Sequence, residues 1–418
     1  MGTQGIGRRT AYWRSRRRMT QEHFAALMGQ SVRWVEDLED LEGGSRQRDP
    51  RLSVIERAAD ALGIDLTLLL SDNATGRAGC VDATEIAAIR RALQRHDIIT
   101  GTCAPGAADP PPLTALRRAV RYGHTAFQAG HFASLGRLVP ELLADTTRAA
   151  ARRHGDEQLV AVALLAQTLT LTEGAAIKFG DTDLALIAGH RAVAAAERCG
   201  DPVVRAAAAR HLADAMTHHG RPAAGAAFAL AAADRLAPDL TDRGPDGWSV
   251  LGMLYLKATM AQAQVGRSDD RQAAAAAAAV PALLHEADEH ATRLGTDANR
   301  MFTAFGPTNV AVHRVAAHVA LADGMAAVTA AAAIPVPARD ALTRERRAHH
   351  FADLALGCLQ AGLREEAVDA LLDAEEQAPE EVRCRPRTRR LVDDLRLLGA
   401  GSAQGRLRAL ADRCGLPR

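Results

Sequence analysis

Aromatic residues make up only 3% of this 418-residue chain, while hydrophobic residues make up 48%, so the core has to be built from Ala, Leu and Val. Ala and Leu are strong helix formers and weak or average strand formers, which excludes an aromatic-rich β-sandwich and predicts an all-α fold. Lysine is nearly absent: only Lys178 and Lys257 stand among 51 basic residues. Those 51 are balanced by 50 acids, for a net charge of +1, so a globally polybasic protein is excluded and any nucleic-acid surface has to be a local patch. The longest apolar run, 273–284, contains Pro281 and falls short of the roughly 18 residues a bilayer span needs. No apolar stretch follows the N-terminal arginines, so neither a membrane segment nor a secretory signal is expected. The six cysteines (80, 103, 199, 358, 384 and 414) are scattered, with no Cys-x-x-Cys. They fit a reduced, cytoplasmic protein with structural thiols.

Four zones follow along the chain. Residues 8–72 are Arg-rich and then show short helical patterns. Residues 73–112 form a connector with one helix over 84–97, on which Ile86, Ile89 and Leu93 share a face. The connector ends at Pro105, Pro110, Pro111 and Pro112, which forbid a continued helix. Residues 113–398 are Ala/Leu-rich helical stretches broken by turn glycines at 130, 180, 220, 266 and 362. Residues 399–418 read as a short helix and a frayed end.

The clearest unit of the long zone runs over 348–381. Phe351, Leu354, Ala355 and Cys358 fall at helical spacing, Gly362 turns the chain, Ala367, Leu371 and Ala374 make the next face, and Pro379 stops it. Small residues let two antiparallel helices approach closely, and large ones fill the gaps. This unit resembles a tetratricopeptide repeat. About five to seven such pairs account for the zone, and their stacking gives an α-solenoid with a concave face. The other arrangement with this patterning is an ordinary Ala-rich helical bundle.

The stretch 20–70 is sharper. Thr20 can cap a helix over Gln21–Met28, with Phe24, Ala25 and Met28 facing inward. Gly29 supplies the left-handed turn. Ser31 can cap a second helix, Val32–Glu39, whose Val35 and Leu38 face inward and whose Arg33 lies opposite, flanked by Glu36 and Asp37. Two short helices joined by a three-residue turn make a helix-turn-helix arrangement. Helices over 53–62 and 64–70 complete a small bundle. Trp13 and Met19 belong to its core.

Met19-Thr20-Gln21-Glu22, Phe24-Ala25, Gly29, Ser31, Leu38-Glu39 and Ile55…Ala58-Ala59…Leu62-Gly63-Ile64 resemble the Xre/Cro type of helix-turn-helix domain over most of residues 8–70. The resemblance implies that Val32–Glu39 is the recognition helix. It places Val32, Arg33 and Asp37 at base-facing positions, and Gln21 at a phosphate- or base-contacting one. Arg33 can pair with a guanine edge through two bonds, and Gln21 sits where helix N–H groups favour phosphate. Ser31 and Trp34 flank the same surface, and Trp34 either packs on a neighbour or leans on the sugar–phosphate backbone. Arg8, Arg9, Arg14, Arg16, Arg17 and Arg18, with Arg46, Arg48 and Arg51, supply phosphate partners or solvated charges. Two features depart from the family pattern. Glu36, Asp37, Glu39, Asp40 and Glu42 form an acidic run, so residues 1–72 hold 11 arginines against 11 acids. Asp40-Leu41-Glu42 stands where the family turns, which lengthens the helix.

A Cro-like head on a tetratricopeptide-like body resembles multi-domain regulators of actinobacteria and the peptide-sensing regulators of Gram-positive bacteria. That implies a homodimer on double-stranded DNA, with the body supplying dimerisation and a pocket for a peptide or small molecule. The ligand face expected from composition is Asn299-Arg300-Met301-Phe302 and Phe305–Asn309 with His313-Arg314, giving Arg300, Phe302, Asn309, His313 and Arg314 as candidates. Asn can hold a peptide backbone and Arg a carboxylate. The competing assignment makes Phe302 and Phe305 core. The competing function is a protein-interaction scaffold whose head is only a folding unit.

Enzyme chemistry finds no motif. There is no P-loop, no Gly-x-Gly-x-x-Gly after a strand and no Gly-x-Ser-x-Gly elbow. His285/His290 and His313/His318 are five residues apart, about 140° around a helix, which points the rings apart. No catalytic residue, metal or cofactor is expected.

Overall fold

A computed structural model describes residues 4–17, 19–39, 52–64, 69, 83–95, 109–268 and 273–416. Among these the chain is all-α, with 21 α-helices and one isolated bridge between Ala298 and Phe305. It divides into two compact units, Met1–Ala87 and Ala88–Arg418.

The first unit contains α1 (Gln4–Arg16), α2 (Gln21–Met28), α3 (Val32–Glu39) and α4 (Leu52–Leu62). Local chemistry sets α2 and α3. The Thr20 hydroxyl accepts from the His23 N–H at 3.2 Å, and Gly29 takes φ 62° at the other end. Ser31 Oγ accepts from the Trp34 N–H at 3.2 Å and so starts α3. Phe24, Met28, Val35, Trp13, Ile55 and Leu62 bury one shared core. α1 crosses α3 closely: a Cβ on Gly7 would lie 2.4 Å from the Leu38 carbonyl oxygen.

α5 (Ala83–Gln94) spans the unit boundary. Its later half buries Ile89 and Leu93, its Arg90 pairs with Asp181, and its Leu93 carbonyl accepts from Arg191. The rest of the second unit is a series of helices. It opens with α6 (Leu113–Gln128), α7 (Phe132–Arg152), α8 (Gly155–Phe179), α9 (Thr182–Cys199) and α10 (Pro202–His218). α11 (Pro222–Thr241), α12 (Gly244–Ser268), α13 (Ala273–Leu294), α14 (Pro307–Ala320) and α15 (Gly324–Ala332) follow. It ends with α16 (Val336–Ala341), α17 (Arg344–Gln360), α18 (Arg364–Gln377), α19 (Pro379–Arg383), α20 (Pro386–Leu398) and α21 (Gln404–Arg413).

Most consecutive helices pack on each other, with α15 packing directly on α17, and α6, α8, α10, α12, α14 and α17 also pack in sequence as an inner row. That row returns on itself, because α17 also touches α6. The turn glycines take part in the closure: a Cβ on Gly130 would meet Ala378 at 2.6 Å, and one on Gly180 would meet Pro386 at 2.7 Å. The concave face expected from the repeats is therefore largely an interior.

Gly-Asp pairs recur at the turns for one reason. The glycine ends a helix at positive φ, and the aspartate starts the next, as Asp181 does for Leu184 N and Asp201 for Val203 N. Ala322-Asp323 does the same work without a glycine, with Ala322 at φ 61°. Ala322 is exposed, so Ala322→Gly is expected to stabilise the protein by about 1 kcal/mol in chemical denaturation. A loss of stability there would mean that the left-handed residue carries no strain.

One expectation changes. Gly266 lies inside α12 and makes no turn; the link from α12 to α13 falls at 269–272, outside the described residues. The short helix expected near the C-terminus is α21, and Leu407, Leu410 and Cys414 are buried in one cluster with residues of α17 and α18, while 417–418 lie outside the described residues. α8 is long and apolar enough to cross a bilayer, with 78% of its most apolar stretch buried inside the protein.

Candidate functional site

On the first unit, the outward face of α3 presents Arg33, Glu36 and Asp37, all exposed, while Val35 and Leu38 hold the inward face. Arg33 makes no ion pair among the described residues. Val32 and Trp34 are half-buried and pack against the core. Ser31 is exposed, with its hydroxyl capping α3.

Glu39 is not a free acid. Arg14 grips it through two bonds, Nε to Oε1 at 2.6 Å and Nη2 to Oε2 at 2.8 Å, and Gln21 Nε2 adds a third at 3.0 Å. The charge of Glu39, one acid of the run at the end of α3, is thus offset locally by Arg14, and the Gln21 amide nitrogen is bonded within the protein. The Glu39 bond and the Met19 carbonyl hold Arg14, and the bonded carboxylate raises its pKa above the ordinary value. Other arginines expected at phosphates are also internal: Arg9 Nε donates to Leu69 O at 2.6 Å, and Arg17 Nη2 to Gly63 O at 3.0 Å. Arg46, Arg48 and Arg51, the side chains of Arg8, Arg16 and Arg18, and the acids Asp40 and Glu42 lie outside the described residues.

In the second unit, the inner row carries polar side chains on otherwise apolar helices. Both lysines of the chain are there. Lys178 on α8 bonds Glu345 on α17 at 2.5 Å and Glu381 on α19 at 2.8 Å, and lies over the rings of Phe127 and Phe132. Glu381 also bonds Arg385. Burial disfavours both carboxylates, yet Lys178 and the neighbouring cations outweigh it and hold Glu345 well below, and Glu381 below, the usual range. Lys257 on α12 takes Asp214 on α10 at 2.8 Å. Glu173 on α8 is fully buried. Burial, and then Asp214, push its carboxyl well above the usual range, and its Oε2 lies 2.5 Å from His211 Nδ1. Burial, with Arg210 adding to it, pushes the His211 imidazole well below its usual range.

Beside this network is a cavity of about 60 Å³ between α6, α8, α10, the start of α17 and the loop 299–305. Arg210 from α10 and Arg346 from α17 line it, with Phe302 and His124 on another wall. The His124 and Phe302 rings stack at 4.3 Å, and His124 Nε2 bonds the Gln167 carbonyl at 3.2 Å, so Nε2 carries the proton. The loop is fastened to α6: Gln128 and Asn299 exchange two amide bonds at 2.8 and 2.9 Å, and Gln128 also donates to the Phe302 carbonyl. Its Met301, Phe302 and Ala304 all have φ between 49° and 56°, three non-glycine residues in the left-handed region within four positions. Phe305 packs fully buried on Gly252, where a Cβ would lie 2.1 Å from its ring.

Of the five residues expected at a ligand face, only Phe302 lines this cavity. Arg300 is exposed, 3.4 Å from Asp246. Asn309 is buried and donates to the Thr303 carbonyl at 3.4 Å, so it supports the loop from behind. His313 is buried and bonds the Asn309 carbonyl at 2.8 Å, while Arg314 is exposed on another side of α14. Adjacent helical positions lie about 100° apart, so His313 and Arg314 cannot serve one face. Sequence reasoning missed Arg210, Arg346 and His124. The one signal pointing to this interior was the placing of the chain's two lysines.

Among the described residues no group of three or more His, Cys, Asp or Glu is placed to hold a metal ion. His285 is exposed and pairs with Glu289, whereas His290 is buried against Tyr255. No family model, no curated protein and no solved structure matches this chain.

Proposed function

We propose that this protein is a sequence-specific DNA-binding transcriptional regulator. In this reading the first unit is an Xre/Cro-type head that reads double-stranded DNA as a homodimer. The second is a tetratricopeptide-like body that serves dimerisation and the sensing of a peptide or small molecule. The observation that carries the reading is α3: its inward face is locked in a core, its start is capped, and its outward face offers Arg33, without an ion pair among the described residues, beside Asp37. The Arg14–Glu39–Gln21 cluster supports it by removing one acid from the groove-facing end. Arg33→Ala is expected to weaken binding to the preferred site by about 5–150-fold, equivalent to about 1–3 kcal/mol, and to relax one base position while thermal stability is kept. Unchanged selectivity in that variant would count against α3 as the reader.

The scaffold reading has its own support, because Arg9, Arg14 and Arg17 are used inside the unit and not on its surface. Selection of fragments from a genomic DNA library by the full-length protein, repeated across salt, separates the two. A two-fold symmetric motif with affinity falling steeply with salt supports the regulator. No enrichment from folded, monodisperse protein, with and without ligand, supports the scaffold.

A further inference from the structure

We infer that the cavity between α6, α8, α10, α17 and the loop 299–305 is a binding site for the carboxylate end of a ligand that carries a flat apolar group, with Arg210 and Arg346 as its anion partners. Arg210 is only 8% exposed, yet it forms no hydrogen bond or ion pair among the described residues, and its buried Nε has no acceptor. Arg346 also lacks a bond or ion pair there, and its Nε is buried and unsatisfied too. A buried guanidinium without an anion is costly, and Arg210, with the half-buried Arg346 lining the same cavity, calls for an occupant of opposite charge.

The acids of the neighbourhood are bonded elsewhere: Asp214 to Lys257, Glu345 to Lys178, and Glu173 to His211. Glu173 and Asp214 act on Arg210 without bonding it, and burial outweighs them and pulls Arg210 down to about 10.

Size and walls narrow the class. About 60 Å³ holds on the order of four water-sized probes, enough for a carboxylate but not for a whole peptide or nucleotide. The stacked His124 and Phe302 rings, with Phe127, offer a flat apolar wall to the group behind the carboxylate. The wall bearing Phe302 is the strained loop tied to Gln128, which couples occupancy to the closure of the inner row.

The regulatory use of this site rests on the proposed function, but binding itself does not, so it is measured on the full chain without DNA. Calorimetry is run with phenylacetate, phenylacetamide, inorganic phosphate, and the peptide Ala-Ala-Phe with a free or an amidated C-terminus. Saturable binding of phenylacetate or the free peptide is expected, with the amide forms weaker by at least about tenfold and Arg210→Gln reducing affinity by at least about tenfold. The two acids distinguish a small molecule from a peptide terminus as the source of the carboxylate. Saturable binding of phosphate alone, or of no probe, overturns the carboxylate assignment.

A second readout needs no ligand. If Arg210 is held for an absent anion, Arg210→Met is expected to raise the Tm of the unliganded protein by about 2–4 °C. A lowered Tm would make Arg210 a structural residue and overturn the site, while leaving the DNA reading of the first unit untouched.

Discussion

Lys178→Met is expected to destabilise the second unit by about 3–5 kcal/mol, the range for removing one partner of a buried ion pair. Its ammonium is 5% exposed and bonds two carboxylates that are themselves 5% and 0% exposed. Without it, Arg385 still serves Glu381, but Glu345 is left with Arg346, which makes no bond to it, and the more distant His349, at 3.8 Å. The damage reaches beyond one helix, because Lys178 on α8 is separated from Glu345 by 167 positions and from Glu381 by 203. It joins the early helices of the inner row to the late ones. Adding Glu345→Gln to the variant removes the stranded charge and is expected to recover part of the loss. Urea denaturation of the three proteins measures both effects. A single-variant loss below about 1 kcal/mol would show that the cluster is no stronger than a surface pair.

Acid is expected to unfold the second unit more readily than an average domain. Burial drags His124 down to about 4, with Arg210 adding to the effect, and drags His313 to about 3, with Arg346 adding. His349 and His350 are also pulled down by burial, each to about 4. All four are folded-state values depressed below the ordinary 6.5. Their contribution is therefore complete above pH 6.5 and is lost as pH falls toward the folded values, because the unfolded chain takes up protons first. At pH 5 each group near 4 costs about 2 kcal/mol relative to pH 7. Glu173, Asp373 and Glu380 act in the opposite sense, since their raised carboxyls favour the folded state as pH falls, but His211, His218 and His290 are also depressed and join the four histidines above. The expected result is a drop in Tm of roughly 10 °C or more between pH 7 and pH 5. His313→Gln, which keeps a donor for the Asn309 carbonyl, is expected to reduce that drop. A flat profile over this window would mean that the histidines titrate normally and are open to water.

The division between what was legible and what was not follows the range of the forces. Thr20, Gly29 and Ser31 act on backbone groups within five residues of themselves, so the bounds of α2 and α3 were readable from the chain alone. The Gly-Asp pairs that punctuate the second unit work at the same short range, and the scarcity of aromatics among many alanines announced an all-α protein. Gly266 misled because a glycine is also tolerated inside a helix, at a cost of about 1 kcal/mol relative to alanine.

What only the tertiary structure decided was the fate of charges. Glu39 reads as one more acid at the end of α3 until Arg14, 25 positions away, neutralises it. Arg300, Asn309, His313 and Arg314 look like a ligand face because they are close in sequence, but helical geometry sends them to different surroundings. Arg210 and Arg346 lie far apart in the chain and have no local signature at all. They line one cavity because α17 returns to α6 when the inner row closes. By itself the sequence determined the helices and their caps, since hydrogen bonds to neighbouring N–H groups are short-range. The closure of the row, its lysine-centred network and its unpaired guanidiniums depend on contacts across more than a hundred residues, which exist only once the helices have packed.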